Sequence, residues 1–104
     1  MKNLGGKVAV ITGGASGLGR AFAQRFAAQG MKLALADIEE PVLEATVAEL
    51  RASGTEVIGV PCDVSDQASV QNFHQQVMET YGAAHVLCLN AGVAGGGTIA
   101  ELTA

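Results

Sequence analysis

Thr12-Gly13-Gly14-Ala15-Ser16-Gly17-Leu18-Gly19 decides the reading of this chain. The octet ends an apolar, β-branched run, Lys7-Val8-Ala9-Val10-Ile11-Thr12, and opens directly onto a helix-length segment. Glycine supplies fourteen of the 104 residues, so glycine spacing alone is weak and the strand-to-helix context matters more. At such a turn a diphosphate meets the positive end of a helix and its unpaired N–H groups. Gly13 allows the chain to turn sharply off the strand. Gly17 removes a side chain where a diphosphate must approach the backbone, and Gly19 lets the helix lie close to the sheet. The hydroxyls of Thr12 and Ser16 suit phosphate, ribose or neighbouring backbone. A plain tight turn needs one glycine, not three at these offsets.

Working outward, the same texture repeats. Lys32-Leu33-Ala34-Leu35-Ala36-Asp37, Glu56-Val57-Ile58-Gly59-Val60 and His85-Val86-Leu87-Cys88-Leu89 are apolar throughout, without alternation. Strands of a parallel sheet covered on both faces look like this. Helix-length segments lie between them. The first runs from about Leu18 to Gln29, with Leu18, Phe22, Phe26 and Gln29 on one face and Gly30 as its stop. The second opens with Pro41, suited to a first helical turn, carries a Leu43, Val47, Leu50 stripe and ends at Gly54. The third takes Ser65 as its N-cap, continues through Val70, Phe73, Val77 and Tyr81, and closes at Gly82. The order β-α-β-α-β-α-β, uninterrupted by repeat or linker, predicts right-handed βαβ units in a parallel sheet.

Composition agrees. Nearly half the residues are apolar and few are charged, as in one well-buried globular domain. Small residues are abundant and aromatics scarce, which favours closely packed helix–sheet layers. The net charge of −4 shows no basic stripe, so nucleic acid is not an expected partner. The N-terminus has no signal-peptide shape, and the first apolar run is far short of a membrane span. A soluble, cytoplasmic protein is therefore expected, with no membrane partner. Cys62 and Cys88 sit in apolar runs without a CxxC neighbour and read as reduced core thiols; no metal site is expected.

Asp37 ends the second strand eighteen residues after Gly19. In a dinucleotide fold that point faces the adenosine ribose, where a carboxylate accepts hydrogen bonds from both hydroxyls. It would repel a 2′-phosphate. Two unit charges about 4 Å apart interact by about 4 kcal/mol at an effective dielectric of 20, before screening. Neither Ser16 nor Ile38 is basic, so no cation compensates there, and NAD(H) is preferred to NADP(H). The alternative for Asp37 is a solvated strand-end acid or a helix N-terminal charge.

Two further pieces are specific. The third strand runs into Cys62-Asp63-Val64 and the fourth into Asn90-Ala91-Gly92. Together with Thr12-Gly13-x-x-x-Gly17-x-Gly19, the chain resembles the short-chain dehydrogenase/reductase family over almost its whole length. The resemblance implies an α/β, doubly wound parallel sheet of the Rossmann type, of which these residues form the first β-α-β-α-β-α-β portion. It implies that Asp63 reaches the adenine amino group with Val64 beside the ring. Asn90 would brace the sheet, with Ala91 and Gly92 against the adenosine ribose, and Leu18 would contact the nicotinamide side. Leu89 stands where the family often has a second Asn, so any sheet-bracing bond from that side chain is absent. Gly95-Gly96-Gly97 would lie near the substrate side. On the residues alone, Asp63 also reads as a loop or capping acid and Asn90 as a strand-end turn residue.

Family catalysis rests on a Tyr-x-x-x-Lys pair, an upstream Ser and a further Asn. Tyr81 is the lone tyrosine, and His85 stands where the Lys would be needed. Tyr81 is expected to pack at a helix end, and no catalytic residue is assigned. The expectation is that 1–104 is the N-terminal part of an NAD-binding domain, cut before its catalytic segment. Glu101 to Ala104 would approach another helix and the fourth strand would be an exposed sheet edge, so the piece made alone should aggregate. The expected function of the whole is an NAD(H)-dependent oxidoreductase interconverting an alcohol and a ketone or aldehyde. Its substrate would be a small molecule, and the full-length chain would be a homo-oligomer. The alternatives are a non-catalytic dinucleotide-binding fragment and an S-adenosylmethionine-dependent methyltransferase.

Overall fold

The computed structural model describes residues 5–14, 17–89 and 98–101. The chain runs β1 (Val8–Thr12), α1 (Gly17–Ala28), β2 (Lys32–Asp37), α2 (Glu40–Ala52), β3 (Val57–Pro61), α3 (Gln67–Tyr81), β4 (Val86–Leu89) and β5 (Thr98–Glu101). The sheet order is β3-β2-β1-β4-β5. The first four strands are parallel, with Val10 opposite both Ala34 and Leu87. This is a doubly wound α/β sheet. Strand order reverses between β1 and β4, and ligands of such sheets bind where it does, beyond the carboxyl ends of the strands.

Two apolar layers hold the sheet. On one face Ala9, Ile11, Leu33 and Leu35 pack against Ala23 of α1 and Leu43, Val47 and Leu50 of α2. On the other, Val8, Val10, Ala34, Ala36 and Val60 pack against Phe73 and Val77 of α3. All five residues of β1 are buried, which explains why its sequence does not alternate.

The helix contacts depart from the expected stripes in three places. In α1 the buried residues are Gly19 and Ala23, while Leu18 and Gln29 are exposed and Phe22 and Phe26 are half-buried. The helix comes so near the sheet that only small residues fit beneath it, displacing the large ones to its flanks. In α3 the N-cap is Asp66, whose side chain accepts from the Ala68 N–H, and not Ser65. Ser65 is drawn into a turn with Asp63 instead. Val70, expected on the inner stripe, is 39% exposed.

The fourth strand is not a sheet edge. Thr98–Glu101, for which no strand was expected, pairs antiparallel with β4, placing Thr98 opposite Leu89 and Glu101 opposite Val86. Of the expected helix approach from Glu101 to Ala104, Glu101 is in this strand and the rest lies outside the described residues. A four-residue segment containing β-branched Thr98 and Ile99 suits a strand, and β4 presents backbone groups for it to pair with. The edges of the described sheet are β3 and β5.

The amino end of the sheet is pinned by two residues. The His85 N–H donates to the Val8 carbonyl at 2.9 Å, and the Val8 N–H donates to His85 Nδ1 at 3.0 Å. The imidazole thus carries its proton on Nε2. Tyr81 donates its hydroxyl proton to the Leu33 carbonyl at 3.0 Å, and Lys32 Nζ lies 5.9 Å from its ring centre. Tyr81 is the helix-end packing residue expected for it. Cys62 is buried with a free thiol; the Cys88 side chain lies outside the described residues. Among the described residues no helix is long and apolar enough to cross a membrane.

Candidate functional site

Three chain segments meet beyond the carboxyl ends of β1, β2 and β3. The first is the glycine turn. Gly13 (φ 64°) and Gly17 (φ 57°) both adopt left-handed backbone, which strains a residue carrying Cβ. Between them, the Gly14 N–H donates to the Ala36 carbonyl at 3.2 Å, tying the turn to the end of β2. A Cβ on Gly19 would lie 1.9 Å from the Gly13 carbonyl oxygen. The first turn of α1 therefore rests directly on the backbone that leaves β1. A Cβ on Gly17, by contrast, would meet nothing within 4 Å among the described residues. The site is thus closed against side chains on its inner wall and open on its outer one. Its open side carries the positive end of a twelve-residue helix. Leu18 projects beside it, 46% exposed.

The second segment is the end of β2. Asp37 is half-buried, and its Oδ1 accepts the Glu39 N–H at 2.9 Å. That bond fixes the carboxylate at the strand end and turns the chain toward α2. Its carbonyl accepts the Cys62 N–H at 3.0 Å, which joins the second segment to the third. Ile38 stands next to Asp37, 66% exposed. The cation nearest in sequence to the turn, Arg20, is engaged with Glu49 across α1 and α2, and Gln24 donates to the same carboxylate.

The third segment follows β3. Asp63 Oδ1 accepts both the Ser65 N–H at 3.0 Å and the Ser65 hydroxyl at 2.6 Å. The Ser65 hydroxyl, then its N–H, holds the Asp63 carboxyl below the usual carboxylate range. The Asp63 N–H donates to Ser69 Oγ at 3.0 Å, which anchors the turn to α3. Val64 projects beside it, 40% exposed. Ser65 and Ser69 were not expected at the site. The signal of Ser65 is local, a serine two residues after an acid closing a short turn, whereas Ser69 carries none, its contact depending on where α3 meets the turn.

Gly13, Gly17, Leu18, Gly19, Asp37, Asp63 and Val64 therefore fall along one end of the sheet, on three neighbouring strands. Ser16, Asn90, Ala91, Gly92 and the Gly95 to Gly97 run lie outside the described residues. Tyr81 binds the second residue of β2, four residues from Asp37, hence about 13 Å away along the strand.

Comparison with known proteins agrees with this architecture. The family model described as short chain dehydrogenase matches residues 7–104. A 2,5-dichloro-2,5-cyclohexadiene-1,4-diol dehydrogenase, LinX, of Sphingobium indicum is 44% identical over 90 residues, covering 86% of this chain and 36% of that protein. A CLA biosynthesis dehydrogenase/reductase of Lactiplantibacillus plantarum is 43% identical, covering 98% of this chain and 36% of that protein. The crystal structure of a short chain dehydrogenase/reductase from Burkholderia phymatum, in complex with NAD, superposes with a TM-score of 0.81 at 54% identity. It covers 84% of this chain and 31% of its own. The chain thus spans little more than a third of the curated relatives it matches. With its family match running from the first strand to the last residue, this chain belongs to the short-chain dehydrogenase family of oxidoreductases.

Proposed function

We propose that these residues form the cofactor-holding part of an NAD(H)-dependent oxidoreductase that interconverts an alcohol and a ketone or aldehyde. The observation that carries the reading is the glycine turn. Its inner wall excludes any Cβ at Gly19, and among the described residues nothing lies within 4 Å of a Cβ at Gly17, at the start of α1. A diphosphate fits that combination and a side-chain-lined pocket does not. The NAD complex of the Burkholderia phymatum protein supports the choice of cofactor. Membership of an oxidoreductase family supports it over the methyltransferase alternative.

In this reading Gly13, Ser16, Gly17 and Gly19 receive the diphosphate, and Leu18 borders the nicotinamide side. Asp37 binds the adenosine ribose, with Ala91 and Gly92 against the same sugar. Asp63 accepts from the adenine amino group with Val64 along the ring, and Asn90 braces the sheet. The nicotinamide of the bound cofactor supplies the hydride acceptor or donor. No Tyr-x-x-x-Lys occurs in the 104 residues, and Tyr81 is committed at the opposite end of the sheet. Proton transfer is accordingly placed on residues outside this sequence, and the 104 residues alone bind cofactor without turnover. The whole protein is read as cytoplasmic and homo-oligomeric, acting on a small molecule.

The test is cofactor choice. NAD(H) is expected to bind at least about tenfold more tightly than NADP(H), a modest fraction of the unscreened Asp37–phosphate repulsion. Asp37→Ala should shrink that ratio toward one. Calorimetric titration measures both, and equal affinities in the unmutated protein would remove Asp37 from the ribose.

A further inference from the structure

β3 is an outer strand of the sheet among the described residues. Its ladder with β2 begins where the Leu33 N–H donates to the Glu56 carbonyl and ends where the Cys62 N–H donates to the Asp37 carbonyl. Leu33 lies opposite Val57, and Asp37 opposite Pro61. The alternation of a parallel ladder then turns the amide groups of Ile58 and Val60 toward β2, and those of Val57, Gly59 and Pro61 outward. An outward row of this kind is a template on which another chain can add a strand.

This row is blocked at both ends. At its start, the Val57 carbonyl accepts two bonds from the Arg51 guanidinium, Nε at 3.2 Å and Nη2 at 3.0 Å. Arg51 lies in the last turn of α2, and the turn at Gly54 brings the chain back beneath it within six residues. At its end, Pro61 has no N–H to offer, and an edge strand is where a sheet tolerates proline. The Val57 N–H, the two backbone groups of Gly59 and the Pro61 carbonyl still face outward, so Gly59 is the one residue of β3 with both its outward groups available. Gly59 itself is overhung by α2: a Cβ there would lie 2.6 Å from Val47 Cγ2.

We propose that Arg51 and Pro61 close the β3 edge against strand addition by a second copy of this chain. Arg51 occupies the acceptor at one end, and Pro61 withholds the donor at the other. The remaining outward groups are too few for an added strand to pair over more than one complete residue. The arginine does more than neutralise a carbonyl, because it also sets a positive charge on the edge, where a second copy would bring an identical charge. The inference is independent of the cofactor reading, since it rests on the outward backbone groups of β3 and on no cofactor contact.

Arg51→Met keeps a long side chain and good helix propensity while removing every donor. Pro61→Val restores an outward N–H in a residue suited to a strand. In the intact protein, sedimentation should show self-association tightened over the unmutated protein by roughly tenfold for each edge group freed. The double variant should exceed either single one. The amides of Val57 and Gly59 should exchange hydrogen more slowly as protein concentration rises. Thermal melting reports whether each variant is folded, and Pro61→Val alone decides the matter if Arg51→Met does not fold. Association unchanged from the unmutated protein would overturn the proposal. So would association that leaves exchange at Val57 and Gly59 unaltered.

Discussion

Gly19 shows how much of the site is set by a single hydrogen atom. Any Cβ at this position would sit inside the Gly13 carbonyl group, with backbone on both sides and no side chain able to give way. Gly19→Ala should force α1 off the turn. It is expected to destabilise the fold by about 1–3 kcal/mol, as overpacking does, and to weaken NADH binding at the same time. Denaturant unfolding and NADH fluorescence read the two effects separately. Asp63 makes the complementary case, a charge tuned by its neighbour. The Ser65 hydroxyl is the first cause of its lowered pKa and the Ser65 N–H the second. Ser65→Ala removes the first and keeps the second, so the Asp63 pKa should rise toward the ordinary carboxylate range without reaching it. A carboxyl-resolved NMR titration measures this, and an unchanged pKa would mean that the hydroxyl contact contributes nothing.

β1 and β2 were readable strands, because their central residues are buried on both faces and so are apolar without alternation; both appear where their β-branched and apolar runs place them. Less readable were features decided by contacts across the chain. Ser65 and Asp66 are both good N-caps one residue apart, and only the bond from Ser65 to Asp63 leaves Asp66 to take the helix. The inner face of α1 is marked by Gly19 and Ala23 rather than its large residues, because nearness to the sheet outweighs hydrophobicity there. Thr98 to Glu101 is too short for periodicity to separate strand from helix, and pairing with β4 decides it. Of the candidate site, the glycines, Asp37 and Asp63 could be placed from spacing after strands, whereas Ser69 could not, since its role depends on where α3 meets the turn.

The end of α3 carries a pH dependence. Burial first, and the Glu56 charge second, push the Tyr81 phenol from 10.0 up to about 12, with Arg51 opposing. The folded state therefore keeps the phenol neutral where an unfolded chain would ionise it. Its contribution to stability is complete below pH 10 and is lost as pH rises from there toward about 12. Tyr81→Phe should flatten that part of the profile of melting temperature against pH, and an unaltered slope would assign the alkaline loss to other groups.

Taken whole, the molecule separates its tasks between the two ends of one sheet. The amino end is committed to structure: His85 closes onto Val8, and Tyr81 closes onto Leu33. The carboxyl end gathers the glycine turn, tied to the end of β2, with Asp37 and Asp63, each held by a short-range backbone bond; the surrounding apolar side chains of Leu18, Ile38 and Val64 are exposed. That division follows from the parallel topology, which sends every strand of the first four to the same end and reverses its order between β1 and β4. Backbone amide shifts during titration of the intact protein with NAD test this account most directly. It predicts saturable shifts at Gly13, Gly14, Gly17, Asp37 and Asp63, with Val8, Leu33, Tyr81 and His85 unmoved. Saturable shifts confined to the amino end of the sheet, or no saturable shift at the glycine turn, would contradict it.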